Sequence, residues 1–523
     1  MNQPSTSILA EGPDRTAFDK LASETGDYSP QYNLIPVWRK LSASLHSPLS
    51  LYQSLHRPGQ ADSDSILLES GSPEMDSGRF SIICPNPRYR LEVKGHKTQV
   101  LEDRKLSEHG EEADPLNWIE SFWKRFRVAT QALTPEVKNW AGLYGYFGYD
   151  TVRLIEDRLE GGRKKALTDI PDICLMLCTE LIVLDHKLGQ ITLMTYANPE
   201  QTSWDQAQSR LDQFQEWIQT PPPLHAKTQT PPQAARANPE PVYQFERTAY
   251  ERSIERIKSY TRSGDCMQVV LGGVFKGEFH APAMELYRSL RASNPSPYMY
   301  YLNIMSGKGM AAGSEFQILG TAPEELVRLD DRRILIRPLA GTRKRGGTTA
   351  EDQEMERDML SDPKEIAEHV MLVDLARNDI GRVADIGSVQ VADYLRVERF
   401  KHVMHLLSVV TAQIREDRNA FDLLKATFPA GTVSGAPKVR AMEIIDELEP
   451  MGRGLYGGGV GRIDFEGNIS LALALRTAVI QNEQIFIGAG GGIVADSIPE
   501  LEWKEVHNKA RAICSLLPLL SSE

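Results

Sequence analysis

Apolar positions in the first half of the chain recur in short runs, as in Ser65-Ile-Leu-Leu-Glu69, Ser81-Ile-Ile-Cys84 and Leu181-Ile-Val-Leu184, a length and composition that predict strands. Between Trp204 and Trp217 they return every three or four positions, which predicts an amphipathic helix. Further on, the same spacing predicts helices over Arg247 to Ser263, Ala281 to Ser293 and Pro363 to Ile380. These alternate with β-rich segments over Gly454 to Ile480 and Gln484 to Ala495. No repeat period is visible, which argues against a solenoid or a propeller.

Two stretches break the pattern. Residues 1–31 are polar, with scattered Ser, Glu, Asp, Gly and Pro, and predict a flexible lead. Residues 220–241 run TPPPLHAKTQTPPQAARANPEP, where seven prolines and no aromatic residue predict a linker. The expected organisation is therefore a lead over 1–31, a mixed first region over 32–219, a Pro-rich linker over 220–241 and a second region over 242–523.

Composition narrows the class. A chain of 523 residues, 41% hydrophobic and 25% charged, has ordinary globular content. Its formal charge of −12 argues against nucleic acid as main partner, since a phosphate backbone requires a basic face. No run approaches the roughly 18 apolar residues that span a bilayer. No hydrophobic signal core opens the chain, so the cytoplasm is the expected location and no membrane partner is expected. The five cysteines, Cys84, Cys174, Cys178, Cys266 and Cys514, include no C-x-x-C, so neither a disulfide framework nor a zinc site is indicated.

Two carboxylate pairs carry the sharpest chemistry. Glu365 and Glu368 in D-P-K-E-I-A-E-H, and Glu502 and Glu505 in L-E-W-K-E, each have i, i+3 spacing on a predicted helix. Each pair presents oxygen donors on one helix face, suited to a hard cation such as Mg²⁺ completed by water and an anionic substrate. Asp362, Pro363 and Glu365 also fit an N-cap, N1 and capping-box N3, which gives Glu365 a structural explanation. Glu368 is the better metal candidate and Glu365 a support. Glu505 and Lys509 are i, i+4, so an ordinary surface ion pair is the plain alternative.

Other candidates are less specific. The glycines of Arg453-Gly-Leu-Tyr-Gly-Gly-Gly-Val-Gly461 and Gly488-Ala-Gly-Gly-Gly492 permit close backbone approach or anion contacts, or form tight hairpins, and match no nucleotide motif. Ala430-Gly-Thr-Val-Ser-Gly-Ala-Pro-Lys438 leads into a helix predicted over Val439 to Glu449. Its Thr432, Ser434 and Lys438 are candidate donors to a carboxylate, with Ser434 alternatively a cap. His405, polar within Val403-Met-His-Leu-Leu407, is either a proton-transfer group or a hydrogen-bonded core histidine.

Taken together these segments resemble the chorismate-utilising enzyme family. The likeness runs in order through Y-N-L-I-P-V at Tyr32, L-L-E-S ending at Ser70, G-Y-F-G-Y-D ending at Asp150 and S-P-Y-M at Ser296. It continues through R-P-L-A-G-T-R at Arg337, K-E-I-A-E-H-V-M-L-V-D-L-A-R-N-D at Lys364, S-G-A-P-K-V-R-A-M-E at Ser434 and G-G-G-I-V-A-D-S at Gly490. The N-terminal matches resemble the component I anthranilate synthases within that family.

The resemblance implies an α/β (α+β) fold, a β-sandwich core surrounded by helices, with Mg²⁺ as cofactor bound by Glu368 and Glu505 and supported by Glu365 and Glu502. It implies chorismate held by Gly341, Thr342, Tyr456, Arg476, Gly490, Gly491, Gly492 and Lys509, with His405 and Thr432 catalytic. The implied activity is a lyase reaction: ammonia adds at ring C2 as the C4 hydroxyl leaves, then pyruvate is eliminated to give anthranilate. His405 is expected to assist departure of the hydroxyl or enolpyruvyl oxygen. No cysteine lies in a G-x-C-x-G elbow, so ammonia is expected from a separate glutamine amidotransferase subunit, component II, in a hetero-oligomer.

Gln268 stands where water-adding relatives carry a lysine base, and Ala340 where a group of aminodeoxychorismate synthases carries a nucleophilic lysine. Direct attack by ammonia follows. Leu271-Gly-Gly-Val274 and Gly320-Thr-Ala-Pro-Glu324 depart from the family's usual Ser-Arg and G-S-S-P-E sequences, and residues 305–318 are longer than usual. Ser70, Pro297, Tyr298 and Met299 match the family's tryptophan site, while their neighbours differ, which leaves inhibition open and fits a secondary-pathway paralogue. Two alternatives stand beside the leading one: an enzyme that releases 2-amino-2-deoxyisochorismate, and a noncatalytic subunit that binds tryptophan or chorismate.

Overall fold

The computed structural model describes residues 7–25, 30–43, 46–55, 63–71, 78–219, 238–307, 315–400 and 403–520. Among them, strands form two antiparallel sheets, one of 13 strands and one of 12. Trp38, Ile82, Tyr144, Tyr146, Tyr300, Ile318, Val460 and Phe486 fill the space between the sheets. Helices cover both outer faces. Trp204–Gln219, Arg247–Arg262, Ala283–Ser293 and Pro499–Cys514 bury Leu211, Ile254, Leu286 and Val506 on the first sheet. Pro115–Trp123, Pro363–Gly381 and Ala420–Thr427 bury Leu116, Val373 and Phe421 on the second. The result is the expected sandwich surrounded by helices.

Central strands are apolar on both faces because each sheet is covered twice. Ile173–Cys178, sequence ICLMLC, is buried at every position, the signature of a strand with no wet side. Helices follow the 3.6-residue rule: Arg247–Arg262 buries Tyr250, Ser253, Ile254 and Ile257, and the Glu246 side chain accepts from Thr248 N and Ala249 N at its start.

The expected division of the chain does not divide its core. Ser65–Glu69 pairs with Tyr298–Ile304, and Gly142–Phe147 pairs with Gly459–Asp464, so each sheet draws strands from both sides of residues 220–241. Of that linker, 220–237 lie outside the described residues. The expected flexible lead also differs. Ile8–Gly12 pairs with Ile35–Ser42, and Arg15–Ser23 forms a helix capped by Asp14 that buries Phe18 and Leu21. Its few apolar residues are spaced for one helical face, a signal too short to stand out in a polar segment. Among the described residues, no helix is long and apolar enough to cross a membrane.

Candidate active site

The acidic helix Pro363–Gly381 begins as expected, with Asp362 accepting from Lys364 N and Glu365 N and Pro363 in the first turn. The capping box does not close. The Asp362 N–H donates to Met359 O, and Glu365 Oε1 instead accepts from Arg343 Nη1 at 2.9 Å. A charge-assisted bond to guanidinium is stronger than a return bond to a backbone amide. Glu368, one turn deeper, has its carboxyl raised above the ordinary range, first by burial. Lys364, 3.9 Å away, opposes this, while Glu365, Glu505 and Glu502 add to it.

The last two lie on the helix Pro499–Cys514, so the two acidic helices share one electrostatic field. The Glu502 carboxyl is likewise raised, chiefly by burial, against a hydrogen bond from Ser497. Glu505 Oε1 pairs with Lys509 Nζ at 2.8 Å, and that ammonium also donates to Gly490 O at 3.0 Å. Crowding in the cleft lowers Lys509, yet Glu505 outweighs it and leaves the ammonium above its ordinary value. Among the described residues, no three His, Cys, Asp or Glu side chains converge tightly enough to hold a metal by themselves. Mutually repelling carboxylates, of which Glu368 and Glu505 face only lysines and Glu365 faces Arg343, are nevertheless the donor chemistry of a hard cation that a substrate oxygen and water complete. Glu368 borders a cleft of about 530 Å³, lined also by Thr261, Cys266, Met267, Lys364 and Asp496.

The glycine-rich segment is a strand. Gln484–Ile493 pairs along its whole length with Gln268–Glu278, whereas Thr477–Gln481 covers its other edge only as far as Ile487. Beyond that point no described strand pairs with the second edge. Side chains there are excluded by close approach: a Cβ on Gly490 would stand 2.7 Å from Tyr456 Oη, and one on Gly492 would stand 2.6 Å from Gln268 Nε2. Behind Tyr456, the fully buried Arg453 pairs with Glu449 at 2.6 Å and donates to Val433 O and Val270 O, while Glu449 accepts from Gly272 N. This pair ties the strand carrying Gln268 to the turn carrying Thr432.

His405 is brought to Gly341 by a bulge. Leu339–Lys344 pairs with Val403–Gln413, but the register shifts between Ala340 and Arg343, and Gly341 takes φ +63°. A glycine in a strand marks such a bulge, which re-aims the backbone. The Gly341 carbonyl lies 2.7 Å from His405 Nδ1, with Thr342 Oγ1 at 3.2 Å. A carbonyl only accepts, so Nδ1 carries the proton and Nε2 keeps a lone pair. Burial holds the imidazole below its usual value, against the pull of the Gly341 carbonyl, and nearby Arg476 lowers it further. His405 is thus hydrogen-bonded through Nδ1 and lies within the electrostatic reach of Arg476.

Arg476 has φ +47°, a strained backbone of the kind kept at functional sites. No described residue pairs with its guanidinium, and burial alone lowers it from its ordinary value. A half-buried guanidinium without a counter-charge among the described residues is suited to an anion.

The loop before Lys438 behaves otherwise than expected. Ser434 Oγ donates to Ala430 O and Lys438 Nζ to Asp379 at 2.6 Å, so neither is available to a ligand. The helix Lys438–Leu448 has Pro437 at its cap and no side-chain cap bond, so Ser434 does not cap it. Thr432 Oγ1 donates to Glu324 Oε1 at 3.1 Å. Glu324 itself was not among the sequence candidates. It is buried, and burial pushes its carboxyl up to about 8, with the Thr432 bond opposing. Only its place in G-T-A-P-E marked it, and a lone glutamate carries no local signal of a raised pKa.

Pro297, Tyr298 and Met299 line a second pocket of about 160 Å³ between the sheets, with Glu69, Trp140 and Arg328. Ser70 is buried beside Glu69 but does not line it. Of residues 305–318, 308–314 lie outside the described residues.

Comparison with known proteins places the chain among its relatives. The chorismate binding enzyme family matches residues 68–515. Anthranilate synthase component 1 of Pseudomonas aeruginosa is 44% identical over 486 residues, covering 92% of this chain and 95% of its own. That of Aquifex aeolicus is 40% identical over 502 residues, covering 95% and 97%. The crystal structure of anthranilate synthase component I from Streptococcus pneumoniae superposes with a TM-score of 0.71 at 33% identity, covering 84% of this chain and 92% of that one. The menaquinone-specific isochorismate synthase of Escherichia coli, at 19% identity and a TM-score of 0.65 over 96% of this chain and 98% of its own, shares the fold. The chain belongs to the chorismate binding enzyme family, in the group of the component 1 anthranilate synthases.

Proposed function

We propose that this chain converts chorismate to anthranilate and pyruvate, using ammonia delivered by a separate glutaminase subunit in the cytoplasm. The observation that carries this reading is the unpaired Arg476 guanidinium, set beside His405 in a site otherwise dominated by carboxylates. An acidic protein accepts a dianion only where cations are gathered locally. Arg476 forks onto one substrate carboxylate, and Lys509 adds charge at the open edge of the glycine strand.

Glu368 and Glu505 are the residues that would hold Mg²⁺, with Glu502 and Glu365 behind them. Bound there, the ion supplies neutralisation for the second carboxylate of the substrate.

Acid and base work divides between two residues. Glu324, protonated near neutrality, gives its proton to the departing C4 hydroxyl while ammonia adds at C2, and Thr432 orients that carboxyl. His405 is uncharged at neutral pH, a poor acid but a competent base. Its Nε2 takes the C2 proton as the bond to the enolpyruvyl oxygen breaks and the ring becomes aromatic. This reading puts on Glu324 the acid role that the family resemblance implied for His405, because burial favours the protonated glutamate and the uncharged histidine.

The test is incubation of the purified chain with chorismate, Mg²⁺ and an ammonium salt. Anthranilate fluorescence is expected. Accumulation of an aminated intermediate, or no turnover, overturns the reading.

A further inference from the structure

One guanidinium binds three carboxylates next to the acidic helix. Arg343 donates through Nε to Asp358 at 2.6 Å, through Nη2 to Asp362 at 2.8 Å and through Nη1 to Glu365 at 2.9 Å, with a further bond from Nη1 to Thr342 O at 3.2 Å. It thereby joins the strand bearing Gly341 and Thr342 to the end of the helix Thr349–Ser361 and the start of Pro363–Gly381. The second oxygen of Glu365 is turned toward Gly341, where a Cβ would meet it at 3.3 Å. Glu368, one turn along the same face, has only Lys364 at 3.9 Å.

Two carboxylates of equal spacing and charge thus have unequal freedom, although Glu365 lies near enough to Glu368 to raise it. We propose that Arg343 is a positioning residue that holds Glu365 out of the cation's inner shell and so sets how many carboxylates the cation meets. The proposal rests on the metal assignment above. Affinity for a hard cation rises with the number of charged ligands, and a carboxylate released into the cleft competes with the substrate carboxylate for the same ion. Holding Glu365 back keeps coordination positions for substrate and water.

The sign of the effect separates this role from a structural one. Loss of a mere clasp loosens the site and weakens cation binding, whereas loss of a restraint on Glu365 strengthens it. Mg²⁺ is titrated calorimetrically into the full chain without substrate, for wild type, Arg343→Gln, Glu365→Gln and the double variant. Arg343→Gln is expected to bind Mg²⁺ about tenfold tighter, with a lower kcat/KM for chorismate. Glu365→Gln alone is expected to change the Kd less than about twofold, and added to Arg343→Gln it is expected to restore nearly the wild-type value. Unchanged or weaker binding by Arg343→Gln overturns the proposal. So does tightening that persists in the double variant, which would be a general charge effect. Should Arg343→Gln fail to fold, Arg343→Lys, which keeps the charge but cannot bridge three carboxylates, is expected to tighten binding in part; a wild-type Kd there overturns the proposal. If the wild-type chain takes up no Mg²⁺, the metal assignment and this proposal fall together, whereas wild-type uptake without tightening sinks the proposal alone.

Discussion

Thr432 donates to the carboxyl of Glu324 at 3.1 Å, and no described cation pairs with that carboxyl. A glutamate with one neutral donor and no counter-charge, buried between strand and turn, keeps its proton. The folded value of about 8 stands above the ordinary 4.5. The stability that this group contributes is fully present below pH 4.5 and is lost as pH rises toward 8, because the unfolded chain ionises first. Glu324→Gln is expected to flatten that decline, measured by denaturant titration at several pH values. It is also expected to cost about 10² to 10⁴ in kcat and to remove the fall in rate that sets in above about pH 8 in the wild type.

Glu368 is raised first by burial and then by neighbouring carboxylates, so its charge costs stability in the absence of a cation. Glu368→Gln is expected to leave the melting temperature unchanged or higher while lowering Mg²⁺-dependent anthranilate formation by about 100-fold or more. A near-normal rate would remove Glu368 from the metal's ligands.

For Arg476, the same contrast holds with the opposite charge. Arg476→Gln removes a half-buried cation without a partner among the described residues and is expected to keep or raise stability. The KM for chorismate is expected to rise about 10- to 150-fold, equivalent to the ~1.5–3 kcal/mol of a charged hydrogen bond. Steady-state kinetics beside a thermal melt decides it; a loss of stability with KM unchanged would count against the carboxylate role.

His405 Nδ1 lies 2.7 Å from the Gly341 carbonyl, and under the proposed division of labour its replacement removes a base rather than an acid. His405→Gln is expected to slow pyruvate elimination more than amination, and mass analysis of the products should show the aminated intermediate building up. Equal slowing of both steps would contradict the division of labour with Glu324.

Arg453 and Glu449 make a pair whose removal is expected to act on the fold before the chemistry. Both are buried, at 4% and 3% exposure. Arg453→Ala leaves Glu449 charged and unpaired, and a loss of about 3–5 kcal/mol is expected from chemical denaturation. A change below about 1 kcal/mol would mean that the pair is not what fixes the Thr432 turn.

Much was legible in the order of residues because it is local. The spacing of apolar side chains marked the helix that became Arg247–Arg262, and Asp362-Pro363 marked the start of Pro363–Gly381. The glycines of 488–492 announced a close approach, and the likeness of ordered segments identified the family. These signals depend on neighbours within a turn or a strand.

What the fold alone decided depends on partners hundreds of positions apart. The interleaving of strands from both halves of the chain, as where Ser65–Glu69 meets Tyr298–Ile304, has no local signature, since any apolar strand offers the same backbone groups. Burial, not residue type, raises the Glu324 carboxyl and lowers the His405 imidazole. The sequence set Glu365 apart from Glu368 as a capping residue, whereas the group that holds it in the fold is Arg343, arriving from a distant strand. Charge and proton affinity are properties of an environment, and the environment of each of these groups is assembled by tertiary contacts.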